Sequence, residues 1–212
     1  MQPKTALVTV IVTAIMALAL TVFAVYASAQ EPSWQQILGV GQSRLFQTDT
    51  GRTRTLAIKL LQSGTSAKLE WKSGDTLLSR ELLQLSADEV RRFSYYDGRD
   101  SWVLTPAEPI LRLPIEPGAT WEWFGEVSNG KQSLPGQMYY RVGNQQPVTI
   151  AGKSHLATEI IGYGRIGDLS IIKQQLFVPG LGLIQEEQVV HREGQPDSLS
   201  TRLLGLEGKI RS

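Results

Sequence analysis

Arg54-Thr55-Leu56-Ala57-Ile58-Lys59-Leu60-Leu61 alternates side chains so that Leu56, Ile58 and Leu60 share one side. After Gly64 the alternation returns in Lys68-Leu69-Glu70-Trp71-Lys72, with Leu69 and Trp71 on one side and three charges opposite. A repeat of two residues is the period of a half-buried strand. Ser73-Gly74-Asp75 then turns the chain into Thr76–Leu85, whose pattern is mixed but too short for a confident helix. Downstream, Arg92–Tyr96 and Ser101–Leu104 flank Asp97-Gly98-Arg99-Asp100, a hairpin signal because Asp-Gly tolerates positive φ. Ser86-Ala87-Asp88-Glu89 has the spacing of a capping box and predicts a single helical turn.

The same texture continues toward the C-terminus. Short β-type runs cover 120–127, 137–142, 148–150, 155–163, 169–178, 183–191 and 199–206, separated by Gly, Asn-Gly and Pro-Gly turns. Residues 106–119 interrupt it, because Pro106, Pro109, Pro114 and Pro117 cannot donate to a central ladder. This stretch reads as an extended crossing within one sheet system. The expected fold is mainly β, an antiparallel meander curled into a half-barrel or barrel, preceded by an apolar N-terminal helix. Its organisation is a leader at 1–29, a lead-in at 30–50 and a single β domain at 51–212.

The leader differs in kind from everything after it. Lys4 is the one charge before an uncharged stretch from Thr5 to Tyr26, and Ala27-Ser28-Ala29 has the small-x-small form that signal peptidase accepts. The apolar stretch also reaches the ~20 residues that span a bilayer, so a cleaved signal peptide and an uncleaved anchor are both open. Either one places the following domain outside the cytoplasmic membrane, in the periplasm or beyond. Without residues 1–29 the chain carries equal numbers of basic and acidic side chains. Nothing in that balance supplies the positive field that nucleic acid needs. Membrane contact is therefore expected only through the N-terminal segment, if it is retained. The chain has no Cys and two His, which excludes disulfides, thiolate chemistry and Cys-ligated zinc. No cofactor or metal is expected.

Candidate chemistry is sparse. Ser170-Ile171-Ile172-Lys173 has the Ser-x-x-Lys spacing of serine β-lactam-reactive enzymes, yet on a strand positions i and i+3 face opposite ways. Gly152-Lys153-Ser154 reads as a turn, since Pro147 stands where a phosphate-binding loop has its first glycine. Glu186 and Glu187 are neighbours on a strand and cannot both enter one site. A hydrolase reading remains as an alternative, through Glu122 with Glu126 or through a nucleophile assisted by His155 or His191. A third reading is a structural envelope component that assembles by strand-edge pairing.

The aromatic residues form the more informative group. Trp71, Trp102, Trp121 and Trp123, with Tyr139, are the candidate ligand-binding side chains if part of the sheet's concave face is left open. The first expectation is thus an exported, non-enzymatic binding or interaction domain whose partner is an apolar small molecule or an envelope protein.

Two segments carry a resemblance. Leu113-Pro-Ile-Glu-Pro-Gly-Ala-Thr-Trp-Glu-Trp123 resembles the Pro-Gly-x-x-Trp opening strand of exported bacterial β-rich domains of unknown function. Val148-Thr-Ile-Ala-Gly152, Glu159 and Phe177-Val-Pro-Gly-Leu-Gly-Leu-Ile-Gln-Glu186 resemble their closing meander, with its Pro-Gly-x-Gly-Leu turn. The match spans residues 109–206. Such domains are similar in architecture to the half-barrels of lipoprotein-sorting carriers, which hold acyl chains on a concave face. The resemblance therefore implies a curved sheet with an apolar interior. The chain departs from the lipoprotein members in having no lipobox Cys.

Overall fold

A computed structural model of the protein describes residues 34–48, 50–61, 64–192 and 198–205. The expected leader at 1–29, with its apolar helix, lies outside the described residues. Among those residues a short helix, α1 (Trp34–Leu38), precedes twelve strands. They are β1 (Ser43–Thr48), β2 (Thr53–Leu60), β3 (Ser66–Ser73), β4 (Thr76–Leu85), β5 (Glu89–Tyr96) and β6 (Ser101–Arg112). After them come β7 (Thr120–Ser128), β8 (Ser133–Ile150), β9 (Lys153–Ile166), β10 (Leu169–Val178), β11 (Gly182–Arg192) and β12 (Ser198–Gly205). Each strand pairs antiparallel with the next, and β12 returns to β1 through Phe46↔Gly205, Gln47↔Leu204 and Thr48↔Leu203. The meander is a closed barrel.

Side-chain alternation decides which face turns inward. Leu56, Ile58 and Leu60 of β2 meet Trp71, Leu69 and Ala67 of β3 across the ladder, and this row forms part of the core. The opposite face carries Lys68, Glu70 and Lys72, with Arg80 beside them on β4. There Glu70 is held by Lys68 at 3.1 Å and Arg80 at 3.0 Å. Burying the inner row at ~25 cal/mol per Å² is the dominant drive for the curl.

Several local expectations change. The mixed pattern of Thr76–Leu85 belongs to one strand, β4, whose parity is shifted by a bulge opposite Trp71/Lys72, where Leu78 is the extra residue. The predicted helical turn at Ser86–Glu89 is instead the β4–β5 hairpin turn. Ser86 Oγ accepts the Glu89 N–H at 3.2 Å while the Ser86 N–H donates to the Glu89 carbonyl at 3.0 Å. Capping chemistry and turn chemistry use the same short hydroxyl side chain, so the motif alone does not separate them.

The proline-rich crossing divides in two. Its first half lies inside β6, which pairs with β5 at 101–103 and again from Glu108 to Arg112, but with β7 only through Val103, Leu104 and Thr105. Beyond that point a seam opens between β6 and β7, because Pro106 and Pro109 have no N–H to offer. Two indoles occupy it. Trp123 Nε1 donates to the Pro106 carbonyl at 2.8 Å and Trp121 Nε1 to the Pro109 carbonyl at 2.7 Å.

The barrel also takes in residues before position 51. Ile37 and Leu38 of α1 are buried, and the Arg44 guanidinium of β1 donates to the carbonyls of Leu38, Gly39 and Leu183. Gly182 permits this close approach, since a Cβ there would sit 2.3 Å from the Leu38 carbonyl oxygen. Helix α1 is thereby fastened to β11 at one end of the barrel. The β3–β4, β5–β6, β7–β8 and β9–β10 turns lie at the other.

Candidate functional site

Five strands contribute charge to the barrel interior at mid-height. Glu81 (β4) lies opposite Leu69, Arg92 (β5) opposite Leu83 and Glu108, and Lys173 (β10) opposite Gly162, all on the inward face. Glu186 (β11) faces Gln175 on the same side. Arg92 binds the Glu108 carboxylate through Nε at 2.9 Å and through Nη2, and reaches Glu81 at 3.6 Å. The Tyr140 hydroxyl donates to the other oxygen of Glu108, and Lys173 pairs with Glu186 at 3.1 Å.

The electrostatics follow from that arrangement. Burial pushes the Glu81 carboxyl up, but Arg92 and Lys173 outweigh it and hold the group below the usual carboxylate range. Burial likewise disfavours the Lys173 ammonium, and Glu186 and Glu81 more than restore it. The Tyr140 phenol is raised well above its ordinary value by burial and by the adjacent Glu108 charge. Lys173 interacts with Glu81 from the facing wall, so the layer ties β4 to β10 across the interior.

Four of the five candidate aromatics face inward and are buried: Trp71, Trp102, Trp121 and Trp123. They are not one cluster. Trp71 packs edge-on against Phe46, and Trp102 stacks on Tyr95 with its Nε1 donating to Asp97 at 3.0 Å. Trp121 stacks on Tyr140, which itself lies over Gly162, where a Cβ would come 2.7 Å from the ring. Trp123 lies over Gly125 and Gly136 in the same way. Trp71, Trp102 and Tyr95 sit toward the end opposite α1; Trp121 and Trp123 serve the seam. Tyr139 points outward.

The outer wall of β7–β11 has its own order. Strand register aligns Glu122, Tyr139, Tyr163, Ile172 and Val189 in one row across five strands. Tyr139 stacks on Tyr163 at 5.4 Å and meets Phe124 edge-on at 6.0 Å. Phe124, Tyr163 and Ile172 are each more than half exposed. Beside the tyrosines runs a groove of about 610 Å³ lined by Thr120, Glu122, Tyr139, Arg141, Ile161 and Tyr163, with the edges of Trp121 and Tyr140.

The residues weighed for hydrolysis are not brought together. Glu122 and Glu126 share the outer face of β7 but stand about 13 Å apart along the strand at ~3.3 Å per residue. His155 lies near the start of β9 and His191 near the end of β11, opposite Val148 and Ser170 respectively. Ser170 faces outward while Lys173 faces inward. Gly152 lies in the β8–β9 turn with φ +74°. Glu186 faces in and Glu187 out.

Sequence reasoning passed over Glu81, Arg92 and Glu108. Their one signal was parity, a charge at the position where the alternation calls for an apolar side chain, and the bulged residues Leu78 on β4 and Phe93 on β5 concealed it. No protein-family model matches the chain, and no curated protein matches it. The chain is similar to a solved structure described as a "putative lipoprotein" from Parabacteroides distasonis ATCC 8503. The TM-score is 0.47 at 8% identity, over 86% of this chain and 100% of that one.

Proposed function

We propose that the protein is an exported, non-enzymatic binding module that holds a ligand with an apolar body inside the barrel. One observation carries the reading. At mid-barrel the inward side chains of Glu81, Arg92, Lys173 and Glu186 keep 16, 16, 18 and 13% exposure, so the interior around them is not fully packed. Toward the end opposite α1, the inward Tyr95, Ile171 and Val190 are only partly buried. Trp71 and Trp102 complete that apolar wall. A ligand with an apolar body and a polar end matches an apolar mouth above a charged layer.

Native mass spectrometry of protein purified from its host tests this, together with displacement of a fluorescent fatty-acid probe. The expected result is a bound adduct or saturable probe binding that Ile171→Trp abolishes by filling the mouth. Adduct-free protein that takes up no probe, or a probe signal unchanged by Ile171→Trp, would refute it. Pairing of β12 with β1 covers the two terminal edges of the meander over 46–48 and 203–205, which favours ligand binding over assembly through those edges.

A further inference from the structure

The outer wall of β7–β10 carries a second feature, independent of the interior. The row Tyr139–Tyr163–Ile172 is flanked on both sides by rows in which polar side chains are interspersed with one apolar residue each. Toward α1 the flank is Thr120, Arg141, Ile161 and Gln174; toward the opposite end it begins Phe124, Gln137, Arg165 and Ser170. Among the described residues the Glu122 carboxylate, the Arg141 guanidinium and the Tyr163 hydroxyl make no hydrogen bond or ion pair, although all three line the groove. An unpaired acceptor and an unpaired donor therefore stand on neighbouring positions beside exposed aromatic rings.

Those are the requirements of a pyranose. A sugar ring offers an apolar C–H face to an aromatic ring, and its rim of hydroxyls both donates and accepts. A lipid surface would gain nothing from the unpaired Glu122, and nucleic acid would be repelled by it. A row crossing strands ~4.8 Å apart also presents contacts at about the repeat of successive sugar units. We propose that this groove is a binding site for a neutral pyranose oligosaccharide, with Tyr139 and Tyr163 as the stacking wall and Glu122 and Arg141 as the hydroxyl partners.

The experiment titrates the whole chain with chitotetraose and, separately, cellotetraose. It reads amide shifts by NMR. At least one sugar should saturate with Kd on the order of 1 mM or below, moving amides of β7–β10 only. Tyr163→Ala and Arg141→Ala should each weaken binding by about fivefold or more, and Val103→Ser, exposed on β6, should leave it unchanged. Both tested side chains lie on the surface, so their variants keep the fold, which the amide spectrum itself verifies. Absence of shifts with both sugars at about 10 mM would overturn the proposal, because a 1 mM site would then be nine-tenths full. So would binding that Tyr163→Ala leaves intact, or shifts confined to inward-facing positions.

Discussion

Replacing Glu108 probes the interior charge layer most directly. Its side chain is fully buried, with both carboxylate oxygens engaged, one by Arg92 and one by Tyr140. Glu108→Gln keeps the shape and leaves Arg92 with Glu81 alone, at 3.6 Å. Removing one partner of a buried pair costs about 3–5 kcal/mol, and since Glu81 retains part of the compensation the loss should fall near 3 kcal/mol. Glu108→Ala adds the orphaned Tyr140 hydroxyl and a cavity, bringing the loss to about 5 kcal/mol. With a urea slope of about 2 kcal/mol/M, the unfolding midpoints should drop by about 1.5 and 2.5 M. The double variant Arg92→Met with Glu108→Leu removes both charges together and should lose less than Glu108→Ala, since apolar replacement of a buried pair is often near neutral. Equilibrium urea unfolding followed by tryptophan fluorescence measures all three. A Glu108→Gln midpoint within about 0.5 M of the parent would refute the reasoning, as would a double variant that loses as much as Glu108→Ala.

Stability should fall at both ends of the pH scale. Glu81 is held low by Arg92 and Lys173 against burial, and Glu70 is held low by Lys68 and Arg80 against a smaller burial effect. The stability they add is present above the ordinary value of 4.5 and is lost as pH falls through their folded values, which thermal melts from pH 6 to 2 would follow. Tyr95 is pushed up to about 12, mainly by burial, so stability should hold below pH 10 and decline between 10 and 12, read by circular dichroism. Gly164→Ala should cost several kcal/mol, about 3 or more, because its Cβ would meet the Gln137 carbonyl oxygen at 2.0 Å; Gly130→Ala, with φ +80° and open space, should cost about 1 kcal/mol. Trp121→Phe leaves the Pro109 carbonyl unserved in a buried seam and should cost about 1–3 kcal/mol in denaturant unfolding, with near-UV dichroism reporting the loosened stack on Tyr140.

Strands with strict alternation were readable directly. Leu56, Ile58, Leu69 and Trp71 fall on the face that their spacing requires, and Asp97-Gly98 makes the expected turn, with Asp97 Oδ1 accepting the Arg99 and Asp100 N–H groups. Closure was not readable, because the pairing of β1 with β12 depends on accumulated twist and curvature rather than on any local pattern. The same holds for the seam. Pro106 and Pro109 indicated missing donors, while their use as acceptors for two tryptophans fifteen or so positions away is a tertiary fact. Among the candidate ligand residues, the sequence grouped five aromatics by type. The barrel separates them by parity, sending Tyr139 outward and four indoles inward. The charge layer was hidden because a single bulge reverses the assignment of every residue after it.

The ladder between Phe46 and Gly205 joins the opening strand of the barrel to its last. A chain made amino-terminus first therefore carries two raw edges, on β1 and on whichever strand emerged most recently, until β12 arrives. Neither edge has its lasting neighbour before then, and both can template wrong partners in the meantime. Completion resembles fastening a clasp more than zipping a seam. Deleting residues 203–205 should accordingly harm the whole cylinder, since it unfastens both sides of one joint.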